Sequence, residues 1–514
     1  MSRRLAATLV ALVLLAAGCS GSSGGKVATP VSSVPTTAPP TTAPPGTTAT
    51  TAAPVPKLSL QWAPCSDGFE CTTGHPPLDY DHPEDGRTAD LAIIRSRASG
   101  PPDQRLGVLF FNPGGPGAAA TSWLRSLRAS LPQSLASRFD FVAFDPRGSG
   151  GSDPVVCEDG PTLDRFFALD PSPDTPAERQ ALIDGYKRFG ADCKQRNGDR
   201  LAHVDTKTAA RDWDLVRDAL GEDKISYLGF SYGTLLGAVY ADLFPKRVRA
   251  FVLDGALDPT IGTQDLARQQ AVGFENALQG FFADCRTRPA CAFYSGGNPA
   301  GAFDALAARI EQTPLPTKSG RTVGPGEFWF GVAYPLYQRS QWSDMASALN
   351  QAATTGTGDQ LLSMSDRYTR RSPSGTYDPL LSANSAVNCI DRPAPTDVAS
   401  YDHDAPVFAA EAPHFGALAA YGALVCAYWP YPPVDQPHPV KAAGSAPILV
   451  VGTTGDPATP YSWSESVARQ LEHAVLLTRV GDGHTAFFSG NTCARSAITA
   501  YVVDLTLPPP NTKC

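Results

Sequence analysis

The sequence predicts an α/β fold: a mostly parallel sheet with helices on both faces, interrupted by a largely helical insertion. Three observations carry this reading. Strand-like and helix-like segments alternate from about residue 88 to 255, the pattern of a parallel sheet built from crossover units. The pattern then turns mainly helical over residues 262–430. Alternation returns afterwards and completes the sheet.

The chain begins with a targeting segment, residues 1–19. Arg3 and Arg4 form a positive start, and Leu5 to Ala17 is an apolar stretch too short to span a bilayer. The stretch ends in Ala16-Ala17-Gly18-Cys19, which resembles the lipobox of bacterial lipoproteins, although Ala16 stands where Leu is commoner. In such proteins the cysteine is lipidated and becomes the mature N-terminus. The expectation is an exported protein held by Cys19 on the outer face of the cytoplasmic membrane; a cleaved, secreted chain is the alternative. Residues 20–57 repeat Thr-Thr-Ala-Pro-Pro and carry few charges. This composition cannot bury enough apolar surface to fold, and its prolines make an extended tether.

The folded part divides into a first core portion (58–261), a helical cap (262–430) and a C-terminal core portion (431–514). Leu106 to Phe111 and Phe139 to Phe144 are apolar runs that read as buried strands. Thr208 to Leu220 is a helix with Ala209, Trp213, Val216 and Leu220 on one side. Strand Lys224 to Leu228 leads into helix Thr234 to Phe244, and strand Arg249 to Leu253 follows. Asp265 to Ala283 and Ala302 to Glu311 are cap helices. The core resumes with strand Pro447 to Val451, helix Ser462 to Leu471, strand Val475 to Val480 and helix Ala494 to Leu505.

A net charge of −8 leaves no basic footprint for nucleic acid. Of the 11 cysteines, all but Cys19 form an even set in an exported chain, which implies disulfides. Proximity in sequence suggests Cys65 with Cys71, Cys157 with Cys193, Cys285 with Cys291, Cys389 with Cys426, and Cys493 with Cys514. No pair has C-x-x-C spacing, and the histidines do not cluster with cysteines, so neither a metal nor another cofactor is expected.

The chemistry centres on Gly229-Phe230-Ser231-Tyr232-Gly233. Strand, G-x-S-x-G and helix in succession make a nucleophile elbow, which holds a serine hydroxyl above the sheet at a helix N-terminus. A serine needs a base and an acid that orients the base. Asp456 follows strand Pro447 to Val451, and His484 follows strand Val475 to Val480. Both lie past C-terminal strand ends, where open parallel sheets bind ligands. The order serine, acid, histidine is that of an α/β-hydrolase. Asp254 and Asp482 are the rival acids. The oxyanion donors expected are the N–H groups of Tyr232, after the nucleophile, and Gly115, in the loop Asn112-Pro113-Gly114-Gly115-Pro116-Gly117.

These segments, with Asp145-Pro146-Arg147-Gly148-Ser149-Gly150-Gly151-Ser152, resemble the prolyl-aminopeptidase family of serine peptidases. Pro113 replaces that family's usual oxyanion-loop histidine. The chain is still more similar to actinobacterial tripeptidyl-aminopeptidase-like proteins, which include mycobacterial cell-envelope lipoproteins described as serine proteases and carboxylesterases. The shared segments are Asn388-Cys389-Ile390-Asp391, Cys426-Ala427-Tyr428-Trp429-Pro430, Asp456-Pro457-Ala458-Thr459-Pro460 and the final cysteine. The resemblance implies an α/β-hydrolase with a helical cap and a peptide or protein substrate. An aminopeptidase must hold a free α-amine, and Asp391 is the carboxylate expected to do so, unless it pairs with Arg392. Phe328, Trp329, Phe330 and Tyr334 are expected either to line an apolar substrate wall or to form the core of the cap. Arg147 reads as structural. The leading function is release of short N-terminal peptides. A cell-envelope carboxylesterase or lipase with the same triad is the alternative, and a non-catalytic surface lipoprotein is a third reading.

The anchoring expectation is checked by mass and by partition. Wild type should enter the detergent phase with a lipid mass on Cys19, and Cys19→Ala should not. An unmodified wild-type mature chain that starts elsewhere would overturn it.

Overall fold

The computed structural model describes residues 57–514. The targeting segment, Cys19 and the tether up to Pro56 lie outside the described residues. Eleven strands occur among those described: β1 (Ala63–Pro64), β2 (Glu70–Gly74), β3 (Leu91–Ser96), β4 (Gly107–Asn112), β5 (Phe139–Phe144), β6 (Ile225–Phe230), β7 (Val248–Asp254), β8 (Leu315–Pro316), β9 (Thr322–Val323), β10 (Ile448–Gly455) and β11 (Ala474–Asp482). Nine of them form one sheet in the order β1-β2-β3-β5-β4-β6-β7-β10-β11, and β8 and β9 pair apart from it. The pairings of β1, β2 and β3 are antiparallel. From β5 onward every pairing is parallel.

Every residue of β4, β5 and β6 is buried, as expected of parallel strands covered on both faces. Alternate side chains go to opposite faces. Phe110 thus joins Phe144, Trp213 and Tyr227 in one core, while Phe111 joins Phe141, Leu228 and Tyr501 in the other. Strand β6, which carries the elbow, lies inside the sheet between β4 and β7.

The insertion after β7 has its own core, in which Phe281, Phe303, Phe328 and Leu349 are buried together. It opens with the helix Thr263–Arg286 and includes Pro325–Leu336 and Leu380–Asp391. A second piece joins it from the first half of the chain. Helix Pro176–Asn197 starts at a capping box, in which Thr175 Oγ1 accepts Glu178 N–H and Glu178 accepts Thr175 N–H. Leu182 and Ile183 of this helix pack with Tyr401 and Leu424 of the insertion. The cap therefore draws on residues outside 262–430, a contribution that the sequence reading does not contain. Periodicity in sequence says nothing about which surface the apolar positions of a helix will meet.

The Asp145-Pro146-Arg147 segment is a structural clamp. Arg147 forms a two-pronged pair with Asp212, at 2.7 and 2.8 Å. It also donates to the carbonyls of Pro77 and Leu78. Asp145 accepts N–H from Thr121 and Gly151, both at 2.8 Å. Both charges of the Arg147–Asp212 pair are buried, with side-chain exposures of 2% and 0%, so loss of either partner would leave an uncompensated ion.

All five expected disulfides are present. The Cys493–Cys514 bridge fixes the chain's end against β11. Cys514 N–H donates to Thr478 O at 2.7 Å, and Asn491 Nδ2 donates to Cys514 O at 2.9 Å. Cys514→Ser should lower unfolding stability by ~3 kcal/mol, from the loop closure it releases, as read by urea denaturation. An unchanged midpoint would show that the backbone bonds alone hold this tail.

Candidate active site

The elbow has the backbone that its sequence demands. Ser231 adopts φ 56° and ψ −127° as the N-cap of helix Tyr232–Leu243, a region that a non-glycine residue enters at a cost of ~1–3 kcal/mol. Close packing holds it there. A Cβ on Gly229 would lie 2.7 Å from Gly233 O, and one on Gly233 would lie 2.7 Å from Asn112 O. Strand, turn and helix meet only because these positions lack side chains. Tyr227 OH donates to Gly233 O at 2.6 Å and pins the turn from below. Ser231 itself is only partly buried, so its hydroxyl stays accessible.

The oxyanion loop lies directly on this turn. A Cβ on Gly114 would come within 2.9 Å of both Ser231 Cβ and Tyr232 N. Gly114 N–H is already committed to Asn112 Oδ1 at 2.9 Å. Among the described residues, the N–H groups of Gly115 and Tyr232 carry no hydrogen bond. Those are the two donors expected from the sequence.

His484 and Asp456 meet as their order suggested. His484 Nδ1 lies 2.9 Å from each carboxylate oxygen of Asp456. Asp456 also accepts N–H from Ala458, Thr459 and Thr485, at 3.0, 2.9 and 3.1 Å. With Nδ1–H donated to the carboxylate, Nε2 is left as an acceptor. Burial opposes charging of His484, but the Asp456 charge and hydrogen bond outweigh it and hold the imidazole pKa above its usual value.

The rival acids are engaged elsewhere. Asp254 is buried, and its carboxylate accepts N–H from Ala486 and Phe487, at 2.8 and 2.9 Å. Burial raises its pKa to about 6, while those N–H groups pull it down. Asp482 bonds Arg339 at 2.7 Å.

The cap holds a half-open chamber of about 410 Å³, and none of Ser231, Asp456 and His484 is among the residues that line it. Phe166, Phe167, Phe274, Trp329, Phe330 and Phe415 give it aromatic walls. Of the expected apolar wall, Trp329 and Phe330 face the chamber, whereas Phe328 is buried in the cap core and Tyr334 packs against it. Two connections tie the chamber to the elbow and the His484 loop. Chamber residue Asn384 donates to Pro116 O of the oxyanion loop at 3.3 Å. Chamber residue Phe274 packs edge-to-face on Tyr337, which in turn packs edge-to-face on the His484 ring.

Asp391 departs from its expected role. It does not line the chamber. One carboxylate oxygen accepts Thr206 N–H at 2.8 Å and the other accepts Thr206 Oγ1–H at 2.5 Å. Burial raises its pKa to about 6. It makes no ion pair with Arg392 among the described residues. It lies at the end of helix Leu380–Asp391 and meets the first residue of helix Thr206–Ala219, where backbone N–H groups need an acceptor. Asp378 is the one carboxylate among the residues that line the chamber, and it is exposed.

The family model described as TAP-like protein matches residues 412–514. Serine protease Hip1 of Mycobacterium tuberculosis is 37% identical over 491 residues, covering 89% of this chain and 92% of that protein. The chain belongs to the TAP-like α/β-hydrolase family. Carboxylesterase B of Mycobacterium tuberculosis is 36% identical over 486 residues, covering 91% and 92% of the two chains. Tripeptidyl aminopeptidase of Streptomyces lividans is 29% identical over 480 residues, covering 88% and 86%. Within this TAP-like hydrolase, sequence reasoning missed two features of the site. Asp254 anchors the His484 loop, and Arg392 reaches the chamber wall. A buried aspartate at the end of a parallel strand was visible, but its partners stand more than 200 residues away in sequence.

Asp254→Ala should remove the shared acceptor for Ala486 and Phe487. Hydrogen exchange at those two amides should accelerate while exchange within β7 changes little. Unchanged protection would mean that Asp254 does not secure this loop.

Proposed function

We propose that the chain is an exported serine peptidase in which Ser231 is the nucleophile, His484 the general base and Asp456 the acid that orients it. The observation that carries this is the Asp456–His484 pair, 2.9 Å apart, beside a strained serine elbow with two uncommitted N–H donors. His484 Nε2 takes the Ser231 proton as the hydroxyl attacks a carbonyl carbon. The N–H groups of Gly115 and Tyr232, with the helix N-terminus behind them, stabilise the oxyanion. The imidazolium returns its proton to the leaving amine, and water hydrolyses the acyl-enzyme by the reverse steps. Asp456 fixes the tautomer and balances the transient cation.

A chamber of this size under a cap favours short lengths of chain over a folded protein loop, and the relatives named as proteases support peptides as substrates. Release of short peptides from free N-termini is the leading activity. The aromatic walls also suit an acyl ester, which keeps a carboxylesterase as the second reading. The five disulfides support export, and Ala16-Ala17-Gly18-Cys19 supports a lipid anchor in the cell envelope.

Ser231→Ala should abolish fluorophosphonate labelling, and Asp456→Asn should lower kcat by ~10⁴-fold through the wrong tautomer. Because the base works neutral and its pKa is raised, kcat/KM should fall with decreasing pH through a value above the ordinary ~6.5 of histidine. N-acetylation of a peptide substrate should lower kcat/KM at least severalfold. Equal rates on free and acetylated peptides would reject the exopeptidase reading, and hydrolysis of acyl esters with no detectable cleavage of any peptide would favour the esterase.

A further inference from the structure

Arg392 follows the helix Leu380–Asp391 and lines the chamber. It is 5% exposed. Among the described residues its side chain makes no hydrogen bond, and no carboxylate lies within the 4.0 Å of an ion pair. Three carboxylates lie near it, Asp391, Asp435 and Asp258, and the first two share a second, small pocket with it, but each has its own partners. Asp391 is held by Thr206. Asp435 pairs with Lys207 at 2.9 Å. Asp258 accepts from Thr260 and from Gln470. A guanidinium carries five N–H donors and cannot shed its charge. Left buried without a partner it is strongly unfavourable, and burial indeed pulls its pKa down against the field of Asp391.

The chamber supplies the direction. Ser385, Asn388 and Arg392 follow one another at helical spacing along one wall, and all three line the space. The other walls are largely apolar, aliphatic as well as aromatic. Arg392 is the one cation among the lining residues, and the one carboxylate, Asp378, is exposed and already accepts Leu380 N–H at 2.9 Å. A mainly apolar chamber with one cation among its lining residues, a guanidinium without a hydrogen-bond partner, matches an apolar ligand with one anionic group.

We propose that Arg392 is an anion subsite, which receives a carboxylate carried by the substrate inside the cap chamber. The planar fork of the guanidinium takes a carboxylate in two parallel hydrogen bonds. The proposal rests on the reading of Ser231 as nucleophile and of the chamber as its substrate space. The carboxylate belongs to an acidic peptide side chain or to an acyl chain with a second acid group, and the two are separable by experiment.

Turnover and binding test it together. Quenched fluorescent peptides carry a single Glu moved through each position on either side of the scissile bond, each against its Gln counterpart. Wild type should prefer Glu at one position by about ten-fold or more in kcat/KM, the scale of a hydrogen bond to a charged group. The preference should fall to about one in Arg392→Gln and survive in part in Arg392→Lys. The same ratio is read on p-nitrophenyl esters of glutarate against pentanoate. A preference on esters alone assigns the carboxylate to an acyl chain. Binding without turnover is read by calorimetry with octanoate against octanamide: wild type should bind the anion and Arg392→Gln should not. A ratio of one for every wild-type pair, or octanoate and octanamide bound alike by wild type, would overturn the subsite. Absent fluorophosphonate labelling would instead sink the nucleophile reading and leave the calorimetric result to stand or fall alone.

Discussion

One residue joins the parts of the active site that the chain order keeps apart. Asp254, at the end of β7, accepts Ser231 N–H on its backbone carbonyl at 3.0 Å. Its carboxylate accepts the N–H groups just beyond His484. Ser231 and the His484 loop are therefore hung from the same strand end, one by main chain and one by side chain. The next residue continues the brace, since Gly255 N–H donates to Val451 O of β10, the strand that delivers Asp456. A carboxylate sealed from water with only backbone donors around it is worth retaining only where those donors must be fixed.

Asp456 plays the complementary part. Besides His484 it gathers three backbone N–H groups, so its carboxylate is fixed by the main chain as well as by the histidine. This saturation separates it from Asp482, which faces an exposed arginine. It also explains why the turn Asp456-Pro457-Ala458-Thr459-Pro460 reads as a unit: the carboxylate closes the turn on itself, and Gln270 of the cap donates to Ala458 O at 2.8 Å. Cap and core are thus stitched at the acid as well as at the oxyanion loop.

What the sequence made legible was local. The elbow was readable because Ser231 must take a left-handed backbone between two residues without side chains, a demand met within five positions. Asp456 and His484 were readable because each follows a strand of a parallel sheet, where sites gather. The disulfides were readable as neighbours in sequence. Asp391 misled because its partner, Thr206, lies 185 positions away, and an acid in a cap segment looks the same whether it faces a ligand or caps a helix. Arg392 was hidden beside it for the same reason: adjacency suggested a pair, whereas the Asp391 carboxylate is taken by Thr206 although the two residues share a small pocket. The cap's borrowed helix Pro176–Asn197 was invisible because an apolar stripe does not name the surface that will cover it.

The bond from His484 N–H to Tyr337 O, 2.7 Å long, ties the base to the residue that ends the cap helix Pro325–Leu336. The imidazole therefore has two suspension points, one in the sheet and one in the roof. The main chain that carries the ring is thus held by a helix of the insertion as well as by the strand end of the sheet, so the packing of the insertion and the placement of His484 are one structural property.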